Sequence, residues 1–246
     1  MRWLILSDVH SNLHALTAVL DSVRKRKFQR ILVLGDLVGY GAFPNEAVDA
    51  VLGLKKLHAV IRGNHDRVTV RTGDENSFNL PAMAAILWTR EHLRPAALEA
   101  LKNIPAGPLA VEDFAICHGS PLDEDLYILS DREAWFSFRA AAADLTFFGH
   151  SHIPCWFTQD KKDVQGFLVG REYFHLKLKE GTRYLINPGS VGQPRDGNPR
   201  ASYCVYDSRW RTVTFFRVPY DVKAAQDAIL KSGLPPNLAH RLKVGM

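Results

Sequence analysis

The chain has 246 residues, of which 46% are hydrophobic and 23% are charged, and its formal net charge is +5. Its length can bury one large α/β core or two small ones, and its composition is that of a globular protein rather than a disordered one. The basic residues are scattered, with the longest run at residues 24–27. This pattern favours a phosphorylated substrate and leaves nucleic acid as a possible but not favoured partner.

The first 65 residues alternate between strand and helix patterns. Residues 3–6 and 31–34 are short apolar runs typical of buried strands, and residues 13–23 between them have the apolar spacing of an amphipathic helix. Pro44 opens a second helix, and residues 59–61 form a third strand. Repeated β-α-β units predict a parallel sheet with right-handed crossovers.

The middle of the chain is predicted to be helical and then to form a hairpin. Residues 80–93 give the strongest helical pattern, and we expect a lid-like helical segment at about residues 70–105. Residues 109–120 predict a hairpin that turns at Glu112 and Asp113. Ser130 and Glu133 form a capping box that predicts another helix.

The last third is predicted to be rich in β-structure. Residues 155–219 alternate in polarity between turns, which predicts antiparallel strands on the far side of the sheet, and one helix after Asp221 closes the chain. Since no linker, repeat or low-complexity tract divides the sequence, we expect a single domain over residues 1–246.

Cysteine usage and hydropathy indicate the compartment. The three cysteines, Cys117, Cys155 and Cys204, are widely separated and form no CxxC pair, which argues against a disulfide framework and a thiolate metal site. The apolar run at residues 3–6 is too short for a signal peptide, and no run of about 18 apolar residues follows. A cytoplasmic protein without a membrane span is the prediction.

Five predicted strands stop at residue types that bind metals. The five endings read SDVH at 7–10, GD at 35–36, GNHD at 63–66, CHG at 117–119 and GHSH at 149–152. Taken alone, Asp8 with His10 is typical of a helix cap, and His118 is typical of a hydrogen-bonded core histidine. If the strands are adjacent, however, these side chains meet at one edge of the sheet.

That mixture of imidazole and oxygen donors suits a pair of divalent cations, for which manganese, iron, zinc and nickel are all candidates. Two such ions about 3.5–4 Å apart clamp a phosphate and lower the pKa of a water molecule.

The ordered set of endings resembles that of the calcineurin-like metallophosphoesterases over at least residues 3–152. The resemblance implies a four-layer α/β/β/α sandwich and a dinuclear metal centre that hydrolyses phosphate monoesters, diesters or phosphoanhydrides. Together, the segments at 7–16, 35–46 and 186–203 resemble those of a compact prokaryotic branch of the dinucleoside tetraphosphatase type. A small phosphorylated substrate is implied, with nucleotides as one candidate class.

The resemblance also implies roles for individual residues. Asp36 would bridge the two metals. The other implied metal ligands are Asp8, His10 and His152 for the first ion, and Asn64, His118 and His150 for the second. His65 would lie beside the metals and protonate the leaving group or stabilise the phosphate, with Asp66 holding its ring. Asn64 would be a neutral ligand facing the anionic substrate.

Other assignments have two readings. Asn12 either binds substrate or caps the first helix. Arg195 is either a phosphate contact at the cleft rim or a turn arginine. Phe78 and Trp88 either stack on a nucleobase or pack in a core. Val38, Gly39 and Tyr40 replace the Asp-Arg pair that follows the bridging aspartate in protein phosphatases, which weakens that activity as an assignment.

Three other functions stay open at this stage. A nuclease is favoured by the basic charge and would show steep salt dependence. A protein phosphatase is a further enzymatic alternative. A metal-free interaction module would bind no manganese on dialysis. The sequence does not indicate the oligomeric state.

Overall fold

The computed structural model describes residues 1–24, 26–71, 78–161 and 163–246, and these residues contain twelve strands and eight helices. The strands are β1 Arg2–Leu6, β2 Arg30–Val33, β3 Leu57–Val60, β4 Leu109–Val111, β5 Phe114–Ile116, β6 Leu145–Phe147, β7 Cys155–Asp160, β8 Asp163–Leu168, β9 Tyr173–Lys177, β10 Arg183–Asn187, β11 Ala201–Asp207 and β12 Thr212–Val218. The helices are α1 Leu13–Val23, α2 Pro44–Leu52, α3 Asn64–Val70, α4 Leu80–His92, α5 Pro95–Lys102, α6 Asp131–Ala140, α7 Val222–Lys231 and α8 Pro236–Val244.

The strands form two six-stranded mixed sheets. The first has the order β3-β2-β1-β11-β12-β9, and the second has the order β4-β5-β6-β10-β7-β8. Strands β1, β2 and β3 are mutually parallel, as are β5, β6 and β10, whereas the remaining pairs are antiparallel. The two parallel sets carry the predicted metal-binding endings.

Strand β1 is buried on both faces, which explains its continuous apolar run. Trp3 and Ile5 belong to the core that fills the space between the two sheets. Leu4 and Leu6 belong to the core between the first sheet and its helices. Because successive side chains of a strand point to opposite faces, one short strand contributes to both cores.

The outer layers consist of helices. Helices α1, α2 and α5 cover the first sheet through residues such as Leu16, Val48 and Leu101. Helix α6 covers the second sheet, where Phe138 packs with Phe157. The arrangement is the four-layer α/β/β/α sandwich, and the predicted fold class is confirmed.

Several local predictions are confirmed, and two are wrong. The 109–120 hairpin forms as β4 and β5, and the Ser130–Glu133 capping box opens α6. The strands of residues 155–219 do not lie together on the far side of one sheet, because β9, β11 and β12 join the first sheet and β7, β8 and β10 join the second. A second C-terminal helix, α8, follows α7 and packs against it, although its apolar pattern is weak.

The predicted lid at 70–105 is only partly described, since residues 72–77 lie outside the described residues. Helix α5 buries Ala97 and Leu101 in the core under the first sheet. Helix α4 buries Ala82 and Ala85 in a cluster with α7 and α8. A role as a lid stays a prediction. None of the described helices has the length and apolar content needed to cross a bilayer.

Candidate metal centre

The predicted ligands meet in one buried site between the two sheets. Asp8 follows β1 and Asp36 follows β2 in the first sheet, while His118 follows β5 and His150 follows β6 in the second. All four side chains are buried. The site therefore lies where the ends of the two parallel sets face each other, as the endings predicted.

Two groups of potential metal ligands share one aspartate. The first group contains Asp8, His10, Asp36 and His152, and the second contains Asp36, His118 and His150. A single oxygen of Asp36, Oδ2, lies 3.4 Å from His10 Nε2 and 3.3 Å from His118 Nε2. Asp36 is therefore placed to serve both groups.

Main-chain carbonyls fix the orientation of three histidine rings. The Nδ1 of His10 lies 3.0 Å from Val38 O, that of His118 lies 2.7 Å from Leu34 O, and that of His152 lies 2.6 Å from Gln193 O. Since a carbonyl oxygen only accepts, Nδ1 carries a proton in each ring, which leaves Nε2 as the nitrogen that would face a metal.

His150 is oriented in the opposite sense. Its Nε2 lies 3.2 Å from the main-chain oxygen of Asp125, so that nitrogen donates and Nδ1 keeps the lone pair. The ring of Tyr127 stacks on His150 with ring centroids 3.9 Å apart. This second contact fixes the plane of the imidazole.

Burial dominates the protonation of the site. It lowers the pKa of His10 and His152 well below the ordinary value and lowers that of His150 to about 3, so these rings are neutral. Burial raises the pKa of Asp8 to about 7. For His118, burial is outweighed by the Asp36 carboxylate, which raises the pKa to about 10, and the same contact holds Asp36 ionised.

Backbone strain is concentrated at these ligands. Five of them have a positive φ, namely Asp8 at 56°, His10 at 50°, Asp36 at 52°, His150 at 63° and His152 at 60°. A residue with a side chain rarely adopts this left-handed region, and it persists only where the surroundings impose it. Strain at several adjacent positions marks a functional site rather than an ordinary set of loops.

The donor set fits two divalent cations. Oδ2 of Asp8 and Oδ2 of Asp36 are buried and accept no hydrogen bond from the described residues. His10 Nε2 and His152 Nε2 lie 3.1 Å apart, each with a lone pair and no proton to share. Converging lone pairs and buried carboxylates of this kind are stabilised by a bound cation, and the buried Asn64 adds an oxygen, Oδ1, 3.1 Å from His118 Nε2.

Residues 38–40 line the site next to the first group, and sequence reasoning missed this role. Tyr40 packs against both His10 and His65, with ring centroids 4.6 Å and 4.4 Å away. Gly39 has φ +93°, and a Cβ at this position would lie 2.5 Å from His65 Nδ1. The segment that departs from the protein-phosphatase pattern thus forms the wall on which His65 rests.

Residues 187–193 form hydrogen bonds with the loops that carry the predicted metal ligands. Asn187 Nδ2 donates to Gly149 O at 2.6 Å, and Ser190 Oγ donates to Asp8 O at 2.8 Å. The carbonyl of Gln193 accepts from His152, as described above. The predicted rim loop therefore also holds two ligand segments in place, a role that no short motif in the sequence indicates.

His65 lies beside both groups and in neither. Its amide donates to Asp36 Oδ1 at 2.9 Å, and its ring contacts Tyr40, His10 and Phe78. Burial lowers the pKa of His65 to about 4, so the ring is neutral at pH 7. A contact of this ring with substrate stays a prediction.

The expected contact between Asp66 and His65 is wrong. Oδ1 of Asp66 accepts from the amides of Leu37 and Val38, and Oδ2 accepts from the amide of Gly63. No hydrogen bond joins Asp66 to His65 in the part of the chain that is described. Three main-chain donors converge on this carboxylate because it opens α3 and ties it to the loop after β2.

The alternatives for Asn12, Phe78 and Trp88 are decided by packing. Asn12 caps α1, since Oδ1 accepts from Ala15 N at 3.1 Å and Nδ2 donates to Gly192 O at 2.8 Å. Its polar atoms are therefore engaged within the fold, against a substrate-binding role. Phe78 and Trp88 are partly buried and pack against the cluster of α4, α7 and α8, which favours the packing reading, and the Phe78 ring also contacts His65.

Arg195 reaches over the site from the rim loop. Its Nη2 lies 3.2 Å from Tyr40 Oη, and its Nη1 lies 3.5 Å from Tyr127 Oη. Tyr40 contacts His10 of the first group, and Tyr127 contacts His150 of the second. The guanidinium group thus spans both groups, which a turn arginine directed into solvent would not do.

Comparison with known proteins agrees with this geometry. The family model described as the calcineurin-like phosphoesterase superfamily domain matches residues 1–210. The chain belongs to this superfamily. It is a metal-dependent phosphoesterase with two candidate metal sites built from aspartate and histidine.

Similar proteins support the assignment over the whole length of the phosphoesterase. A metallophosphoesterase from Sphaerobacter thermophilus has a TM-score of 0.89 and 37% identity, with 100% of each chain covered. An uncharacterized protein from Methanocaldococcus jannaschii is 39% identical over 98% of this chain and 97% of its own. A hypothetical protein from Pyrococcus horikoshii OT3 shares the fold, with a TM-score of 0.81, 21% identity, and 100% and 98% of the two chains covered.

These relatives do not narrow the substrate. Their descriptions name a metallophosphoesterase, an uncharacterized protein and a hypothetical protein. The superfamily is therefore confirmed, whereas the narrower likeness to the dinucleoside tetraphosphatase branch stays a prediction. Membership of the superfamily implies a phosphorylated substrate.

Proposed function

We propose that this phosphoesterase uses two divalent metal ions to hydrolyse phosphate monoesters, phosphodiesters or phosphoanhydrides, with dinucleoside polyphosphates as one candidate class. The observation that carries the proposal is the position of Asp36 Oδ2, which lies 3.4 Å from a histidine of one group and 3.3 Å from a histidine of the other. One carboxylate oxygen between two sets of imidazoles is the arrangement that a dinuclear site requires.

The ligands divide into two sets under this proposal. Asp8, His10 and His152 hold one ion, while Asn64, His118 and His150 hold the other, and Asp36 serves both. The buried position of Asn64 and its 3.1 Å distance from His118 Nε2 support its place in the second set. The donors suit manganese, iron, zinc or nickel, because imidazole and carboxylate ligands do not discriminate strongly among these ions.

Divalent ions held by these ligands supply Lewis-acid polarisation of the phosphate and a lowered pKa for the attacking water. The side chains of the protein bind and orient the substrate. His65 offers its one N–H to the phosphate or to the departing oxygen, since its ring is neutral and packed between Tyr40 and Phe78. Arg195 binds a phosphate oxygen through its planar fork of donors.

The nuclease alternative gains little from the basic run at residues 24–27. Arg24 pairs with Asp21 at 2.9 Å, and the guanidinium of Arg26 stacks 3.9 Å from the centroid of the Phe216 ring. Both charges are therefore engaged locally. The metal-free module is opposed by the two buried carboxylate oxygens that accept no hydrogen bond from the described residues.

The test compares manganese-dependent hydrolysis of a bis-aryl phosphate, a mono-aryl phosphate and diadenosine tetraphosphate by the natural protein and by Asp36→Asn. The side-chain amide introduced by this substitution keeps an oxygen that accepts from the main-chain N–H of His65. It removes the negative charge that the two ligand groups share. Losing a group that only orients a metal ligand costs about 10–100-fold in metal affinity or activity. Because Asp36 is itself a ligand in this proposal, we expect activity to fall by more than about 100-fold. Metal content should fall in parallel.

The relative rates on the three substrates distinguish esterase from anhydride-cleaving activity. The proposal would be contradicted if the natural protein, with full metal content, hydrolysed all three substrates no faster than the Asp36→Asn blank. A rate on nucleic acid that falls steeply with added salt, in place of turnover of the small esters, would favour the nuclease.

A further inference from the structure

A second arginine lies next to Arg195, and it comes from outside the region that the family model matches. Arg241 is on α8, whereas the match ends at residue 210. Its guanidinium carbon lies 5.7 Å from the centroid of the Tyr40 ring, and that of Arg195 lies 5.9 Å from the same centroid. Tyr40 in turn contacts His65. Two cations therefore pack on Tyr40, the residue whose ring contacts His65.

This juxtaposition is electrostatically unfavourable in the protein itself. Among the described residues, neither arginine forms an ion pair with a carboxylate side chain. Arg241 Nε donates to the main-chain oxygen of Met246, and its guanidinium also hydrogen-bonds Tyr40. Arg195 contacts the hydroxyls of Tyr40 and Tyr127 and the amide oxygen of Gln193. Burial first and the charge of Arg195 second lower the pKa of Arg241.

Donors without acceptors lie at the same place. Nε of Arg195 and Nε2 of Gln193 are both buried, and neither has a hydrogen-bond partner among the described residues. A buried donor that lacks an acceptor is costly and uncommon in a folded protein. Two unpaired donors beside two like charges indicate that the site is built to receive an anion with several oxygens.

From this geometry we infer that the leaving group of the substrate itself carries a phosphate, which Arg241 and Arg195 bind while the phosphate under attack lies at the site of the metal ligands. The inference rests on the proposed function and adds a substrate class to it, namely phosphoanhydrides and esters of phosphorylated alcohols. In such a reaction water adds to phosphorus, the bond from phosphorus to the leaving oxygen breaks, and the phosphorylated fragment departs with a proton.

Helix α8 explains how the residue reaches this position. Leu238, Ala239 and Leu242 face the cluster shared with α4, α7 and Tyr40, which fixes the helix against the wall of the site. Arg241, between two of these core positions in sequence, lies at the edge of the packed face and is partly buried. Arginine suits the role because its planar fork matches two oxygens of one phosphate.

The experiment measures binding of two probes that cannot be hydrolysed, methylphosphonate and methylenebisphosphonate, to the manganese-loaded protein by calorimetry. The variants are Arg241→Met, Arg241→Lys and, as a matched control on the same helix, the exposed Lys243→Met. All proteins are measured at one saturating manganese concentration, so that chelation by the bisphosphonate cancels between them.

We expect Arg241→Met to weaken bisphosphonate binding about tenfold or more beyond any effect on methylphosphonate, as the loss of a charged hydrogen bond does. Arg241→Lys should restore part of the difference, and Lys243→Met should match the natural protein. A merely structural role for Arg241 would weaken both probes equally or lower the melting temperature, and either result would overturn the inference.

The two proposals fail in different ways. If manganese-dependent hydrolysis is absent from the natural protein, the proposed function fails first. If hydrolysis is present and abolished by Asp36→Asn, but Arg241→Met leaves the ratio of the two affinities as it was, only the inference about the leaving group is contradicted.

Discussion

The inner wall and the rim of the site are built by opposite rules. On the inner wall, formed by the metal ligands, most nitrogens and oxygens have a defined partner, such as His118 Nδ1 with Leu34 O. At the rim, formed by Tyr40, Tyr127, Gln193, Arg195 and Arg241, two buried donors lack any partner among the described residues. On the wall, by contrast, the buried groups without a hydrogen-bond partner among the described residues include the acceptors Asp8 Oδ2 and Asp36 Oδ2. The wall is therefore complete only with bound cations, and the rim only with a bound anion.

This difference separates the chemistry from the choice of substrate. The wall sits at strand ends and is held by main-chain carbonyls, so its geometry follows from the sheets themselves. The rim comes from segments far apart in the chain, with Tyr127 and Arg195 meeting across 68 positions and Tyr40 and Arg195 across 155. A change at the rim can therefore alter the substrate without disturbing the wall.

His65 lies on the border between wall and rim, and its loss should have the largest effect. We expect His65→Ala to lower kcat by about 10²–10³-fold, which is the usual cost of removing one neutral N–H donor that stabilises developing negative charge. Metal content should be unchanged, because His65 belongs to neither group of ligands. The loss should be greater for aryl esters whose leaving groups have a higher pKa.

The exposed His175→Ala, on β9, is the control for this measurement. A rate for His65→Ala that equals that of the natural protein at every leaving-group pKa would place His65 outside the reaction.

Ser190→Ala tests whether the wall depends on the loop behind it. The change removes a donor to Asp8 O and an acceptor for Gln193 N, both at 2.8 Å. Because groups that orient metal ligands typically contribute about 10–100-fold to metal affinity, we expect manganese binding to weaken by that amount. Ser137→Ala, a buried serine that bonds Glu133 O on α6, should leave manganese affinity as it was.

Equal manganese affinity in Ser190→Ala and in the natural protein, measured by titration of the metal-free forms, would show that the wall does not need this brace.

Tyr127→Phe changes the rim alone and should have the smallest effect on catalysis. The ring that stacks on His150 is kept, while the hydroxyl 3.5 Å from Arg195 Nη1 is lost. This long hydrogen bond contributes at most about 0.5–1.5 kcal/mol, so we expect KM for a phosphate ester to rise by about 2–10-fold. Tyr203→Phe, whose hydroxyl contacts Ser22 away from the site, is the control.

If Tyr127→Phe changed kcat and metal content instead of KM, the division between wall and rim would be wrong at this residue.

Sequence reasoning succeeded where a signal was local. The endings at 7–10, 35–36, 117–119 and 149–152 each join an apolar run to a ligand type, and adjacent parallel strands bring them together. It failed for Asp66, which was expected at the His65 ring and instead accepts three main-chain hydrogen bonds. A carboxylate near a histidine in sequence has many donors within reach, and only the folded backbone selects among them.

It also failed for α8 and for the distribution of the late strands. The apolar pattern of residues 236–244 is weak because only one narrow face of α8 packs on α7. The helix is therefore stabilised mainly by these tertiary contacts. The alternation of residues 155–219 indicates strands but not which sheet each one joins, since the period is the same in both sheets.

By itself, the sequence determined that aspartates and histidines lie at the ends of buried strands in a layered α/β architecture, because both depend on short patterns at strand ends and on the period of apolar residues. Only the tertiary structure decided that Asp36 Oδ2 lies between two histidine groups, that Asn12 is a helix cap, and that Arg195 and Arg241 meet over Tyr40. These features depend on distances between segments far apart in the chain, which packing of the two sheets and the C-terminal helices fixes.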